Sequence, residues 1–176
     1  MIIKGITDED FVNYKVPSMY IATATCSFKC DKEFGKPICQ NSELANQPPH
    51  MVENRAIVER YMKNDITHAI VFGGLEPFDL PWDMFLLLRE FRRNTMDDIV
   101  IYTGYTKEEC KNIMVPFSGK VPNNPNALDM DVISMCAELY NIVIKFGRYI
   151  PNRQPHYDPV LGVYLASDNQ YAERIS

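Results

Sequence analysis

Three cysteines lie close together near the start of the chain, with the spacing Cys26-x3-Cys30-x8-Cys39. Thiolates are soft ligands that select zinc, copper(I) or iron–sulfur clusters, so this group predicts a metal or redox site. Three ligands on a four-iron cube would leave one iron open to an exogenous ligand, and an amino acid moiety can chelate such an iron. The other two cysteines, Cys110 and Cys136, stand alone and are expected to be small core residues.

A zinc site is the alternative interpretation of the same cysteines. It would need a fourth ligand such as His50, although the spacing matches no common zinc module. A non-catalytic zinc- or cluster-binding module, used for assembly or regulation, is therefore a second hypothesis. A disulfide framework is not expected, because the five cysteines follow no secretion signal.

Composition and charge restrict the remaining functional classes. We expect residues 1–176 to form a single domain, because this length suffices for one substantial core. The net charge of -5 gives no support for nucleic-acid binding, which would select a basic patch. No apolar run approaches the ~20 residues that span a bilayer, and the N-terminus does not resemble a signal peptide. We therefore expect a cytoplasmic protein without a membrane partner.

The pattern of apolar residues predicts strands that alternate with helices. Strands are predicted over residues 19–25, 67–72, 98–102, 141–146 and 160–165. Helices are predicted within residues 51–64 and 131–139, after a start signal at Asp79 and after a capping box at Thr106, and residues 115–126 are expected to form a loop. Such alternation is typical of βαβ units, and we expect an α/β fold whose mainly parallel sheet forms a partial (β/α) barrel.

Polar or glycine-rich turns follow each of these predicted strands. They are the cysteine loop, Gly73-Gly74, Thr103-Gly104-Tyr105, Gly147-Arg148 and Ser167-Asp168-Asn169-Gln170. The carboxyl ends of parallel strands lie at one rim of a sheet, where α/β folds build their binding sites. We therefore expect these turns to converge on one site.

The cysteine loop also carries a family resemblance. Cys26-Ser-Phe-Lys-Cys30 resembles the first half of the radical S-adenosylmethionine signature, and Ile38 fills the bulky position that usually precedes the third cysteine. The chain departs from the family pattern by an insertion, because residues 31–38 separate the second and third cysteines. The second predicted strand ends in Gly73-Gly74-Leu75-Glu76-Pro77, which is similar to the family's GGEP motif with Leu75 inserted.

Three further stretches are similar to anaerobic ribonucleotide reductase activating proteins, namely residues 101–106, 142–150 and 165–175. The middle stretch departs from the family pattern, because Lys145 and Phe146 stand where an aspartate usually precedes the glycine. Together the matches run from about Tyr14 to Ile175, which is nearly the whole chain.

The resemblance implies an enzyme that cleaves S-adenosylmethionine reductively with a [4Fe–4S] cluster, generating a 5′-deoxyadenosyl radical. It implies that Cys26, Cys30 and Cys39 bind the cluster. The S-adenosylmethionine contacts that it implies are Gly73, Gly74 and Glu76 at the methionine end, with Thr103, Gly104 and Asn169 as candidates at the ribose or adenine.

The resemblance also implies partners, because the activating proteins abstract hydrogen from a glycine of another enzyme. The expected partners are a large glycyl-radical reductase subunit and a one-electron donor such as flavodoxin or ferredoxin. The alternative within enzymes is a small radical enzyme that acts on a nucleotide-like or peptide substrate.

Overall fold

The computed structural model describes residues 1–115 and 130–176 of the chain. The predicted loop over residues 115–126 lies outside these residues after Val115, which ends a short strand. The described strands are β1 (Ile2–Asp10), β2 (Ser18–Thr23), β3 (His50–Met51), β4 (Ala69–Gly74), β5 (Asp98–Tyr102), β6 (Met114–Val115), β7 (Met130–Asp131), β8 (Ile142–Phe146), β9 (His156–Asp158), β10 (Val163–Leu165) and β11 (Tyr171–Arg174). The described helices are α1 (Lys29–Phe34), α2 (Ser42–Asn46), α3 (Asn54–Met62), α4 (Pro81–Arg92), α5 (Lys107–Cys110) and α6 (Val132–Ala137), with a 3₁₀ turn at Pro77–Asp79.

A seven-stranded sheet with the order β11-β8-β5-β4-β2-β1-β3 organises the fold. Its central strands β2, β4, β5 and β8 are parallel, whereas β1, β3 and β11 pair antiparallel at the two sides. The predicted α/β class and the parallel centre are therefore confirmed. The sheet is mixed and open, because β11 and β3 form separate edges and do not pair with each other.

Helices α3 to α6 pack against one face of this sheet. Their buried side chains, among them Tyr61, Phe91 and Met135, share one apolar cluster with every second residue of the parallel strands. Side chains of successive strand residues point to opposite faces of the sheet. Every second side chain of a strand therefore packs against the helices. Cys110 and Cys136 are fully buried in this cluster, which confirms the prediction that they are core residues.

The opposite face of the sheet is covered by loops and by the hairpin of β9 and β10. A smaller apolar cluster on this side joins Val71, Val100 and Val143 of the strands to Tyr14 and Leu161 of the covering segments. A cavity lies on the same side, at the carboxyl ends of the parallel strands.

Several predicted elements differ from the structure. The predicted strand over residues 160–165 is wrong in extent and position, since only Val163–Leu165 is extended and pairs with β9 in a separate two-stranded sheet. A turn containing Gly162, with φ of +75°, occupies the preceding residues. The helix predicted within residues 51–64 begins only at Asn54, because Met51 pairs with Ile2.

Local signals located other elements well. β5 has the predicted bounds, and the capping box at Thr106 is present, because its side chain and that of Glu109 bond reciprocally to each other's backbone. Strand β1 was not predicted, because register shifts interrupt its pairing with β2 and blur the alternation of apolar residues. No described helix has the length and apolar character that crossing a membrane requires.

Candidate cofactor site

A cavity of about 360 Å³ opens at the carboxyl ends of the parallel strands. Its volume lies within the range of small-molecule sites, which is about 300–1,000 Å³. Each of the five predicted turns contributes residues to its wall, which confirms that they converge. The last turn, residues 167–170, differs from the prediction in one respect: it precedes the antiparallel strand β11 and does not follow a parallel strand.

The three clustered cysteines lie on one wall of the cavity, and each is partly buried. Cys26 follows β2, and Phe28 then adopts a left-handed conformation with φ of 52° before α1, which carries Cys30. Burial, together with a smaller contribution from the nearby Cys39, raises the pKa of Cys26 to about 11 and that of Cys30 to about 12. Cys26 and Cys30 therefore keep their protons at neutral pH until a metal displaces them, and both lie close to Cys39.

The fourth ligand that the zinc hypothesis suggested does not line the cavity with the three thiols. This residue, His50, is exposed on β3. Within residues 1–115 and 130–176, no group of three or more His, Cys, Asp or Glu side chains converges on a single metal-ion position.

The two glycines at the end of β4, which begin the glycine turn, are required by the close approach of neighbouring side chains. A Cβ on Gly73 would lie 2.7 Å from the hydroxyl of Tyr20, so the glycine leaves the space that the Tyr20 side chain occupies. Tyr20 lines the cavity, whereas Gly73 does not. Gly74 does line it, with φ of +81°, and a Cβ there would lie 2.8 Å from Leu44. The Gly73 carbonyl accepts a 3.0 Å hydrogen bond from Thr23, so one of its two lone pairs is used.

Glu76 connects the glycine turn to the turn after β5. Its buried carboxylate accepts hydrogen bonds from the Thr103 hydroxyl at 2.7 Å, the Gly104 amide at 2.8 Å and the Phe78 amide at 3.1 Å. Burial raises the pKa of Glu76 to about 7, although these hydrogen bonds lower it. Glu76, Thr103 and Gly104 therefore form one unit on the cavity wall, and Leu75 is buried beside it.

Asp79 and Tyr105 attach the start of the cysteine loop to the rim of the sheet. The Asp79 carboxylate accepts hydrogen bonds from the Ser27 amide and from the Tyr105 hydroxyl. The Ser27 hydroxyl lies 3.3 Å from the Tyr105 oxygen. Sequence reasoning used Asp79 only as a helix start signal and missed this contact, because the partners are 52 and 26 residues away in sequence.

Three cations line the cavity, and two of them are paired within the protein. Arg148 and Lys29 both bind the carboxylate of Glu109. Lys145 is 6% exposed, and its ammonium donates a 2.7 Å hydrogen bond to the Gly147 carbonyl. In the described part of the chain no carboxylate lies within 4 Å of it. Burial lowers the pKa of Lys145 to about 8, so it is mainly charged at neutral pH.

The structure brings most of the predicted site residues together. The cavity wall includes Cys26, Cys30, Cys39, Gly74, Glu76, Thr103 and Gly104. Asn169 does not line it, because its amide nitrogen donates to the Arg148 carbonyl at 2.8 Å, and the adjacent Gln170 faces the cavity. Tyr20 and Tyr102 were missed, although a polar residue within an apolar strand is the signal that could have found them.

Fold and site together define an α/β protein with a thiol-bearing cavity at the carboxyl ends of its parallel strands. Comparison of the chain with protein-family models, curated proteins and solved structures returned no match.

Proposed function

We propose that this protein is a radical S-adenosylmethionine enzyme whose [4Fe–4S] cluster is held by Cys26, Cys30 and Cys39. The observation that carries the proposal is the shared cavity wall, on which the three thiols lie together with Gly74 and Glu76 of the glycine motif. When bound, the cluster supplies the electron that cleaves S-adenosylmethionine into methionine and a 5′-deoxyadenosyl radical.

The donor set suits such a cluster. Each thiolate of a four-iron cluster binds a different iron, so its ligands surround a cube and do not converge on one ion. The three thiols come from separate pieces of backbone, with Cys26 in the loop after β2, Cys30 on α1 and Cys39 beyond it. Cys39 is nevertheless close enough to raise the pKa of both Cys26 and Cys30.

The charged groups of the cavity suit the amino acid end of S-adenosylmethionine. This end is a zwitterion, and the cavity wall offers it both the Glu76 carboxylate and the Lys145 ammonium. Lys145 is the cation of this wall that forms no direct ion pair within the described part of the chain, so its ammonium is available to bind the ligand's carboxylate. Tyr20 and Tyr102 add apolar ring surface to the same wall and exclude water from it.

The open sheet supports a finer description of the fold. We infer a partial (β/α) barrel, in which α3 to α6 lie outside and the cavity lies inside. The one-sided packing of these helices favours a barrel over a doubly wound sheet, which carries helices on both faces. All five cysteines are free, which fits a reducing compartment and supports a cytoplasmic location.

The cavity mouth supports a macromolecular substrate. Val12 and Tyr164 line the cavity and are nevertheless 72% and 76% exposed, so apolar surface continues from the cavity to the outside. We infer that a glycine-bearing segment of a large glycyl-radical reductase subunit enters here, and that a flavodoxin or ferredoxin supplies the electrons. A glycyl radical signal that appears only when the subunit, S-adenosylmethionine and a reductant are combined would test this partner.

Formation of 5′-deoxyadenosine tests the reaction itself. The protein is purified without oxygen, reconstituted with iron and sulfide, reduced and supplied with S-adenosylmethionine. We expect product from the wild type, no product and no full cluster from Cys39→Ala, and wild-type behaviour from Cys110→Ala, whose thiol lies on the helix side.

The same assay has outcomes that contradict the proposal. Bound zinc without a brown chromophore or product would assign the chain to the non-catalytic metal modules. A full cluster in Cys39→Ala would show that the third ligand is another residue.

A further inference from the structure

Residues 31–38, which separate the second and third cysteines, fold as most of α1 and a turn. The helix ends at Gly35, whose φ of 63° is left-handed. Such a residue reverses the chain after a helix, so the following segment returns toward α1. No residue of α1 is buried, and apolar packing therefore does not hold this segment in place.

Asp31 holds the returning segment through hydrogen bonds. Its Oδ1 atom accepts the backbone amide of Ile38 at 2.8 Å and that of Cys39 at 2.9 Å. The Sγ atom of Cys30 lies 3.7 Å from the same oxygen. One side-chain oxygen therefore contacts both cysteines that flank the segment.

The chain beyond Cys39 is fixed to the rest of the cavity. The Asn41 side-chain amide donates to the Gly74 carbonyl, which belongs to the glycine turn. Further on, the Lys4 ammonium donates to the Ala45 carbonyl at 2.9 Å, at the end of α2. Cys39 is therefore held on one side by Asp31 and on the other by the glycine turn.

We propose that Asp31 is the positioning residue of the third cluster ligand, because its two hydrogen bonds place Cys39 beside Cys30 despite the inserted segment. The proposal rests on the proposed function for the identity of the metal group. Its physical basis is independent of that group, since the hydrogen bonds are formed by the protein alone. Without them, the segment before Cys39 would keep only weaker ties, such as the 3.5 Å ion pair between Glu33 and Arg148, and ordering Cys39 on binding would cost more entropy.

Iron retention tests the proposal in the reconstituted protein. Asp31→Ala should release iron to a chelator about tenfold faster than the wild type, as expected when a residue that orients a metal ligand is lost. Asp31→Asn should remain within about twofold of the wild type, because its amide oxygen can accept the same two hydrogen bonds. Glu43→Ala is the matched control, since it removes an exposed carboxylate from the same region.

Two further readouts separate positioning from general stability. The electron paramagnetic resonance spectrum of reduced Asp31→Ala should show a changed cluster environment, while its circular dichroism and melting temperature stay close to those of the wild type. Wild-type iron release from Asp31→Ala would overturn the proposal. Equal release from Asp31→Asn and Asp31→Ala would overturn it as well, because the carboxylate's charge would then matter and not its acceptor geometry.

Alkylation of the metal-free protein tests the same contact without a cluster. In Asp31→Ala the Cys39 thiol should react about fivefold faster than in the wild type, whereas the Cys26 thiol should react at an unchanged rate. If the wild type binds no cluster but Cys39 still reacts faster in Asp31→Ala, the proposed function is refuted and the positioning role of Asp31 is supported. If the wild type binds a cluster but Asp31→Ala matches it in alkylation and in iron release, the positioning role of Asp31 is refuted and cluster binding is supported.

Discussion

Phe72 and Gly73 are neighbours in β4, and Ile101 and Tyr102 are neighbours in β5, yet each pair divides between the two sides of the sheet. Phe72 and Ile101 are fully buried beneath the helices. Gly73 supports Tyr20, and Tyr102 lines the cavity with it. One residue of strand thus separates a position that stabilises the fold from one that shapes the site, because side chains alternate across a sheet.

The two sides also differ in what holds them together. The helix side is filled by large apolar side chains in one continuous cluster. The cavity side contains buried polar groups, such as Glu76, Thr103 and Lys145, that are positioned by hydrogen bonds. Substitutions should therefore affect mainly stability on the first side and mainly binding on the second.

The largest stability effect is expected on the helix side. Phe72→Ala should lower the free energy of unfolding by about 3–5 kcal/mol, because it leaves a cavity among Phe91 and other buried side chains. Tyr102→Phe, its counterpart on the cavity side, removes one hydrogen bond to the Asn13 carbonyl and should cost about 1 kcal/mol. Urea denaturation measures both, and equal losses would contradict the division.

The glycine turn should be the next most sensitive position. Gly74→Ala places a Cβ in a left-handed conformation against Leu44 and Ala22, and we expect a loss of about 2 kcal/mol in stability together with weaker S-adenosylmethionine binding. Gly5→Ala is the matched control, because nothing lies within 4 Å of a Cβ at that position. Thermal unfolding and isothermal titration calorimetry measure both variants. Equal melting temperatures and affinities in Gly74→Ala and Gly5→Ala would contradict the prediction.

Lys145 should be important for binding but not for stability. Lys145→Met should weaken S-adenosylmethionine binding about tenfold, the effect of losing one charge-assisted contact. The free energy of unfolding should not fall, since burial that lowers the pKa of Lys145 disfavours its charged form, and the Gly147 carbonyl keeps a 3.2 Å hydrogen bond from Gln170.

Lys32→Met, on the exposed surface of α1, is the control for this substitution. Titration of both variants with S-adenosylmethionine provides the comparison. Unchanged affinity in Lys145→Met would show that Lys145 does not contact S-adenosylmethionine. A lower free energy of unfolding in Lys145→Met would instead show that Lys145 stabilises the turn at Gly147.

The smallest effect is expected at the rim of the cavity. Burial alone would raise the pKa of Glu109, but hydrogen bonds from Arg148 and Lys29 bring it down to about 2. A carboxyl group with a folded-state pKa below its unfolded value of 4.5 stabilises the protein above that pH, and this contribution is lost as the pH falls toward 2.

Glu109→Gln should therefore cost about 1 kcal/mol at pH 7 and progressively less below pH 4.5. Glutamine preserves the capping-box pattern, so the helix start at Thr106 is retained. Glu108→Gln, at a side chain that is 78% exposed, is the control. Denaturation curves recorded between pH 7 and pH 3 would contradict the ion-pair explanation if the difference did not change with pH.

Much of the fold and part of the site followed from local sequence patterns. The apolar runs of β4, β5 and β8, the capping box at Thr106 and the order of the polar turns were sufficient to predict a parallel centre with its site at one rim. β1 and the hairpin of β9 and β10 were not predicted, because irregular register and short length leave too few alternating residues to form a pattern. The choice of Gln170 over Asn169 was also out of reach, since both belong to the same turn.

The sequence by itself determined which residue types are available and on which turns they lie, because strand periodicity and glycine, proline and capping signals act over a few residues. Only the tertiary structure decided that Lys145 is buried with its ammonium bonded to the Gly147 carbonyl, that Glu76 joins the turns after β4 and β5, and that Asp31 contacts Cys39. The reason is physical: burial and hydrogen-bond geometry depend on which distant segments pack together, and local patterns carry no record of that packing.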